Sequence, residues 1–396
     1  MTPAATFDAM WADLHPVGRD PRSGGYRRFA WTAADAELRE WFAGEAAARG
    51  LDLTSDRAGN LWAWWGDPDA DGPGLVVGSH LDSVPDGGAF DGPLGVVSAL
   101  AALDALRGRG WTPRRPLGVA VFADEEGARF GVACAGSRII TGALDPDRAR
   151  SLADTDGTTV ADAMAAAGHD PAQVGPDAAT LARVGTFVEL HVEQGRALVD
   201  APDEAAVGVA SAIWPHGRWR LDLRGRADHA GTTRLEDRDD PMLHLADAIA
   251  AARDAARRHG ALATIGKLRV HPNGVNAIPA AVTAWLDARG PVERDVRDVV
   301  AAVGAAAGSD PVEESWTGPT AFDAGLRDRL AALLAAPVLP TGAGHDAGIL
   351  AAAGIPTAML FVRNPTGVSH SPEEHADPAD CHRGVEALAR VVEELG

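Results

Sequence analysis

Short, continuous apolar runs recur through the first half of the chain: Asn60 to Trp65, Leu75 to Gly78, Leu117 to Ala123 and Thr186 to Val192. Runs of that length bounded by turn residues predict strands buried on both faces. Residues 5 to 14 and Leu94 to Leu106 carry helical patterns. Thr32-Ala-Ala-Asp35 resembles a capping box that opens a helix reaching about Arg49. Residues 145 to 183 are polar and Ala-rich, which predicts small surface helices.

The texture changes near Ala210. Arg218 to Arg224 alternates apolar and polar residues, as a half-exposed strand should. A loop with Asp228-His229-Ala230-Gly231 follows, and then a helix over about Asp240 to His259. Strands near Leu262 to Val270 and Val282 to Ala288 come next, with a helix from Val292 to Ala307. Strand, helix, strand, strand, helix predicts a compact α+β insert. After Gly318 the first texture returns, with a helix, Thr341 to Asp346, the strand Thr357 to Val362, a loop holding His370, and a last helix starting near Gly384. The expected division is 1–210 with 319–396, and an insert at 211–318.

Composition narrows the function classes. With 396 residues and 46% hydrophobic content, the chain can bury two cores. A net charge of -20 argues against nucleic acid, whose phosphates need a basic face. Cys134 and Cys381 are the only cysteines, so a reducing, cytoplasmic setting is expected rather than a disulfide framework. No signal peptide and no membrane span are expected from the amino terminus or from any apolar run. Lys267 is the only lysine, which disfavours Schiff-base chemistry and P-loops.

Candidate chemistry gathers where strands end. Gly78 to Gly95, GSHLDSVPDGGAFDGPLG, reads as strand, sharp loop and helix start, placing His80 and Asp91 at a strand's carboxyl end. Open α/β sheets bind ligands there. Asp82 could hold the second nitrogen of a metal-bound His80. Glu125 and Glu126 follow the next buried strand, His191 closes another, and His370 lies beyond the last. Singly, each has an ordinary reading as a loop, a solvated turn or a core histidine. Together, three imidazoles and three carboxylates suit Zn, Mn or similar ions. Asp91 could bridge two ions, and a pair of ions clamps a hydrolytic transition state. Adjacent Glu125 and Glu126 on extended backbone point to opposite sides, so one can ligate while the other works as a base.

These segments, with DEEGARF, ELHVEQG, DHAGTT, PNGVNAIP, LDARG, GAGHDA and GVSHSP, resemble the dinuclear-metal amidohydrolases related to aminoacylases and carboxypeptidases. The resemblance runs from Gly18 to Gly384 and is nearest to the branch holding allantoate amidohydrolase and N-carbamoyl-L-amino acid hydrolase. It implies an α/β catalytic domain with a mixed central sheet flanked by helices, plus a smaller inserted α+β, ferredoxin-like lid and dimerisation domain. It implies two divalent ions, Mn or Zn, with His80 and His191 on one, Glu126 and His370 on the other, and Asp91 between them. Glu125 would be the general base and Asp82 would orient His80. Gln194, Arg218, Asn276 and Arg289 resemble substrate-contacting positions, and His229 resembles a histidine that stabilises the oxyanion in a partner subunit's site. The expected protein is therefore a homodimer acting on a small carboxylate, with no nucleic-acid or membrane partner.

Two departures bear on the substrate. Arg234 follows DHAGTT where many relatives carry proline, and Arg363 sits in the loop before His370. An arginine near the site could accept a second anionic group; a surface arginine is the simpler reading. The leading expectation is allantoate. N-carbamoyl amino acids and N-formyl- or N-carbamoyl-glutamate are the alternatives. A general aminoacylase or dipeptidase would differ in releasing no ammonia. A catalytically dead binding protein would have no need of Glu125 beside all five ligands.

Overall fold

The computed structural model describes residues 3–201 and 205–396; residues 1, 2 and 202–204 lie outside the described part. The chain forms two compact units, Met1–Ser211 with Ala321–Gly396, and Ala212–Thr320. Among the described residues, no helix is long and apolar enough to cross a membrane.

The first unit is built on a nine-stranded sheet. Its strands are β1 (Asp52–Ser55), β2 (Leu61–Trp65), β3 (Gly74–His80), β4 (Leu117–Phe122), β5 (Val184–Val192), β6 (Val207–Ile213), β13 (Thr320–Ala321), β14 (Val338–Thr341) and β15 (Thr357–Val362). The order is β1-β2-β4-β3-β5-β15-β6-β13, with β14 also on β6. β4, β3, β5 and β15 run parallel to their neighbours, whereas β2 and β6 flank them antiparallel, so the sheet is mixed. β3, β4 and β15 are buried at every position, which explains their unbroken apolar runs. The helix Pro93–Gly108 is apolar nearly all round and packs in the same core as the terminal helix Pro378–Leu395.

The second unit holds β7 (His216–Arg224), β9 (Leu262–His271), β11 (Ala281–Arg289) and β12 (Val312–Thr317) in the antiparallel order β12-β7-β11-β9. A separate short ladder joins β8 (Asp228–His229) to β10 (Ala277–Ile278). Burial alternates along β11, and Val282, Ala284, Leu286 and Ala288 face the helices Pro241–His259 and Glu293–Ala307. One face is covered and the other left to water, the α+β arrangement expected of the insert.

Several local expectations need correction. The Thr32 side chain caps no helix N–H; its hydroxyl donates to Phe29 O, and Asp35 accepts from Trp31 N at 2.9 Å. The terminal helix begins at Pro378, ahead of Gly384, because Asp377-Pro378 supplies an N-cap position and a proline at the first turn. β1 lies at the sheet edge with every residue exposed, so it carries no apolar signal.

Candidate metal centre

β3 ends on His80, whose ring is fully buried. Its Nδ1 lies 3.1 Å from the Asp82 carbonyl and 3.4 Å from Asp82 Oδ1. The Asp82 carboxylate does more than face His80. Its Oδ1 accepts from Glu125 N at 3.1 Å and its Oδ2 from Glu126 N at 3.0 Å. One carboxylate thus joins the loop after β3 to the turn after β4. Gly92 presses on the same ring: its φ is +86° and a Cβ there would fall 2.5 Å from the imidazole. Both the backbone angle and the space require glycine.

Parallel strand order brings the other groups to the same end. Asp91 Oδ1 is 3.4 Å from His80 Nε2 and 3.1 Å from His191 Nε2, while its Oδ2 is 3.4 Å from His370 Nε2. His370 Nε2 also lies 3.6 Å from Glu126 Oε2. Two candidate ligand sets, His80/Asp91/His191 and Asp91/Glu126/His370, share Asp91, and His191 also belongs to a third, buried group, Glu189/His191/His345. His191 Nδ1 sits 2.8 Å from Val192 O. A carbonyl can only accept, so Nδ1 carries the proton and Nε2 offers its lone pair inward. Nε2 of His80 and of His191 and Oε1 of Glu126 are buried without a hydrogen-bond partner. Buried polar atoms are seldom left so, and a divalent cation would satisfy all of them. The donor set therefore fits metal.

Charge points the same way. Burial, reinforced by Asp91, pushes the Glu126 carboxyl up to about 7. Burial also pushes Glu125 well above the usual range, opposed by His80 and reinforced by Asp346 and Glu126. Burial would raise Asp91 too, but His191, His370 and His80 hold it well below its ordinary value. For His80, burial disfavours the charged form and is outweighed by Glu125, Asp82 and Asp91, so its pKa is raised. The carboxylates thus depend on nearby positive charge, whether protons on imidazole or a metal ion.

Glu125 and Glu126 lie on a bend after β4 rather than on the expected extended backbone, and Asp124 just before them takes φ +53°. Glu126 faces His370, whereas Glu125 Oε2 lies 3.7 Å from His80 Nε2 and its Oε1 accepts from the Cys134 thiol at 3.4 Å. Gln194 joins this cluster through Asp91: its Nε2 donates to Asp91 Oδ2 at 2.8 Å, while its Oε1 is buried without a partner. Sequence reasoning missed Cys134 and Ser369, which touch these carboxylates, and Glu374, which accepts from Asp91 N. Their only signal was closeness in sequence to Glu125 and His370.

Arg218, His229, Arg234, Asn276 and Arg289 belong to the 212–320 unit, and Arg363 to the first. Arg289 grips Asp287 with Nε at 2.8 Å and Nη2 at 2.6 Å, and Arg218 lies 3.8 Å from the same carboxylate across the β7–β11 ladder. His229 and Asn276 meet at the β8–β10 ladder, where Ala230 N donates to Asn276 O. Gly231 N donates to His229 Nδ1 at 3.0 Å. That bond places the His229 proton on Nε2, as a donor. Arg363 is engaged within the chain: its Nε binds Asp380 Oδ2 at 2.8 Å, and Asp380 is buried. Arg234 is exposed and paired with Asp237 and Glu236.

The model of peptidase family M20/M25/M40 matches residues 76–394. The N-carbamoyl-L-amino acid amidohydrolase of Geobacillus stearothermophilus is 37% identical over 401 residues, covering 97% of this chain and 96% of that protein. The allantoate amidohydrolase of Escherichia coli (strain K12) is 32% identical over 402 residues, covering 96% of this chain and 95% of that protein. The crystal structure of a hydantoinase/carbamoylase family amidase from Burkholderia vietnamiensis superposes with a TM-score of 0.89 at 29% identity, covering 99% of this chain and 97% of that one.

Proposed function

The chain belongs to peptidase family M20/M25/M40 and is a hydrolase of linear-amide C–N bonds, and we propose that it removes a carbamoyl or ureido group from a small carboxylic acid at a centre of two divalent ions. The observation that carries the reading is Asp91, a buried carboxylate shared by two donor sets, one of them buried throughout and the other reaching the exposed His370. His80 and His191 would hold one ion, Glu126 and His370 the other. Such ions, Mn or Zn, lower the pKa of water and polarise a carbonyl.

The chain's own groups supply the rest. Glu125 takes a proton from the attacking water and returns it to the leaving nitrogen. Its burial beside an imidazole and a thiol keeps the carboxylate in one orientation. His229 donates from Nε2 to the developing oxyanion. Arg289, with Asn276 and Arg218, binds the substrate carboxylate; a planar guanidinium suits that partner. The C–N bond breaks, the amine leaves, and the released carbamate falls to carbon dioxide and ammonia.

The names of the relatives support ranking N-carbamoyl-L-amino acids ahead of allantoate. Arg363, engaged by Asp380, lends no support to a dianionic glutamate derivative. A panel of N-carbamoyl-L-amino acids, allantoate and N-formyl amino acids, read by ammonia release for the first two and by formate release for the last, tests this. Turnover of N-acyl amino acids or dipeptides alone would reject the carbamoyl reading.

We also propose a homodimer in which His229 serves the partner's reaction. Leu243, Ile249, Leu262 and Leu268 are exposed on the unit that carries His229, apolar side chains that association could cover. Mixing inactive Glu125→Gln chains with inactive His229→Ala chains should restore part of the activity. No recovery after demonstrated subunit exchange would place His229 in its own chain's site or outside catalysis.

A further inference from the structure

If Asp91 is shared by two ligand sets, whatever fixes Asp91 fixes both. The loop that carries it leaves β3 and contains Gly87-Gly88. Two consecutive main-chain donors on this loop, Phe90 N and Asp91 N, point to one oxygen: Glu374 Oε1, at 2.8 and 2.9 Å. Glu374 comes 283 residues later in the chain and is only 5% exposed. Its other oxygen, Oε2, accepts from Ser369 Oγ at 3.0 Å, and that hydroxyl lies 3.4 Å from Asp91 Oδ2. Gly88 makes the approach possible, since a Cβ there would fall 2.4 Å from the Glu374 side chain.

Burying a carboxylate is costly unless it is hydrogen-bonded. This one is bonded at both oxygens, and its partners are the Asp91 loop and the residue next to His370. It therefore ties the segment after β3 to the segment after β15. We propose that Glu374 is a positioning residue for the metal centre: it locks the Phe90–Asp91 main chain and holds Ser369 beside the Asp91 carboxylate, and so sets both ligand sets together. The inference rests on the reading of Asp91 as a shared ligand. It assigns Glu374 no contact with metal or substrate.

Two substitutions separate reach from charge. Glu374→Gln keeps an oxygen where the two N–H groups donate, and its amide can donate to Ser369 Oγ. Glu374→Asp keeps the charge but is one methylene too short. The measurement is competition for Mn(II) or Zn(II) against a chelator, without substrate, on wild type, both variants and His370→Ala. Circular dichroism of the stripped proteins confirms that each is folded. Glu374→Asp should lose affinity for both ions, by about 10–100-fold, the usual cost of removing a group that holds a ligand. Glu374→Gln should stay within a few-fold of wild type, and His370→Ala should lose one ion only. Wild-type affinity in Glu374→Asp, loss confined to one ion, or greater damage from Gln than from Asp would each overturn the role given to Glu374. A wild-type protein that binds a single ion would overturn the two-ion reading itself, and with it the claim on both sets.

Discussion

The metal-centre end of the first unit and the arginine surface of the second both concentrate charge, but they satisfy it differently. His80 and His191 are fully buried, their Nδ1 atoms are held, and their Nε2 atoms have no hydrogen-bond partner. Arg218 and Arg289 are partly exposed and share Asp287. Burial with one unmet valence per ligand marks a place built to receive a cation. Ion pairs that meet their needs within the chain cost little to keep and contribute little to stability. Arg289 fits neither description cleanly, since a substrate carboxylate would have to share its fork with Asp287.

Substitutions on each side test this contrast. Glu125→Gln should have the largest effect. It changes volume hardly at all but abolishes proton acceptance, so kcat should fall by about 10²–10⁴-fold with metal content unchanged. A kcat within a few-fold of wild type would move the base elsewhere. His370→Ala should reduce the metal bound at saturation from two ions to one, measured by elemental analysis, because His80, Asp91 and His191 remain. Unchanged stoichiometry would remove His370 from the ligand set.

In the second unit the expected effects are smaller. Arg289→Ala should raise KM for every carboxylate substrate by about 10–100-fold, the worth of one hydrogen-bonded charge, with kcat little altered. An unchanged KM would mean that Arg289 serves only Asp287. The two remaining arginines invert the comparison by lying on opposite sides of burial. Arg363→Ala should destabilise the fold by about 1–3 kcal/mol by stranding the buried Asp380, and leave substrate preference alone. Arg234→Ala, on the surface, should change stability by less than about 0.5 kcal/mol. Thermal unfolding distinguishes the two, and a change of substrate preference in Arg363→Ala would restore it to the pocket.

Much of the centre was legible in the chain because its chemistry sits at the ends of strongly apolar runs. β3 delivers His80, β4 is followed by Glu125 and Glu126, and β5 delivers His191. The Arg218 to Arg224 alternation likewise became β7, whose buried positions alternate. Gln194, Cys134, Ser369 and Glu374 were harder. Gln194 reads as a substrate contact in HVEQG, yet its amide donates to Asp91. Glu374 reads as one more surface acid in a chain with 56 Asp and Glu, and nothing local marks it as buried.

The elements and the chemical repertoire are readable along the chain, since hydrophobic periodicity reports which face is buried and residue type reports what an exposed end can bind. The α+β character of the second unit is readable too, through the change in alternation after Ala210. Only the tertiary structure decided which donors share a point in space. Setting β4, β3, β5 and β15 side by side and parallel is a result of packing among distant segments, with no local signal in any one of them. That order turns His80, Asp91, Glu126, His191 and His370 into two overlapping sets. The bonds from Asp82 to the glutamate turn and from Glu374 to the Asp91 loop join residues 43 to 284 positions apart, and exist only once the sheet has formed.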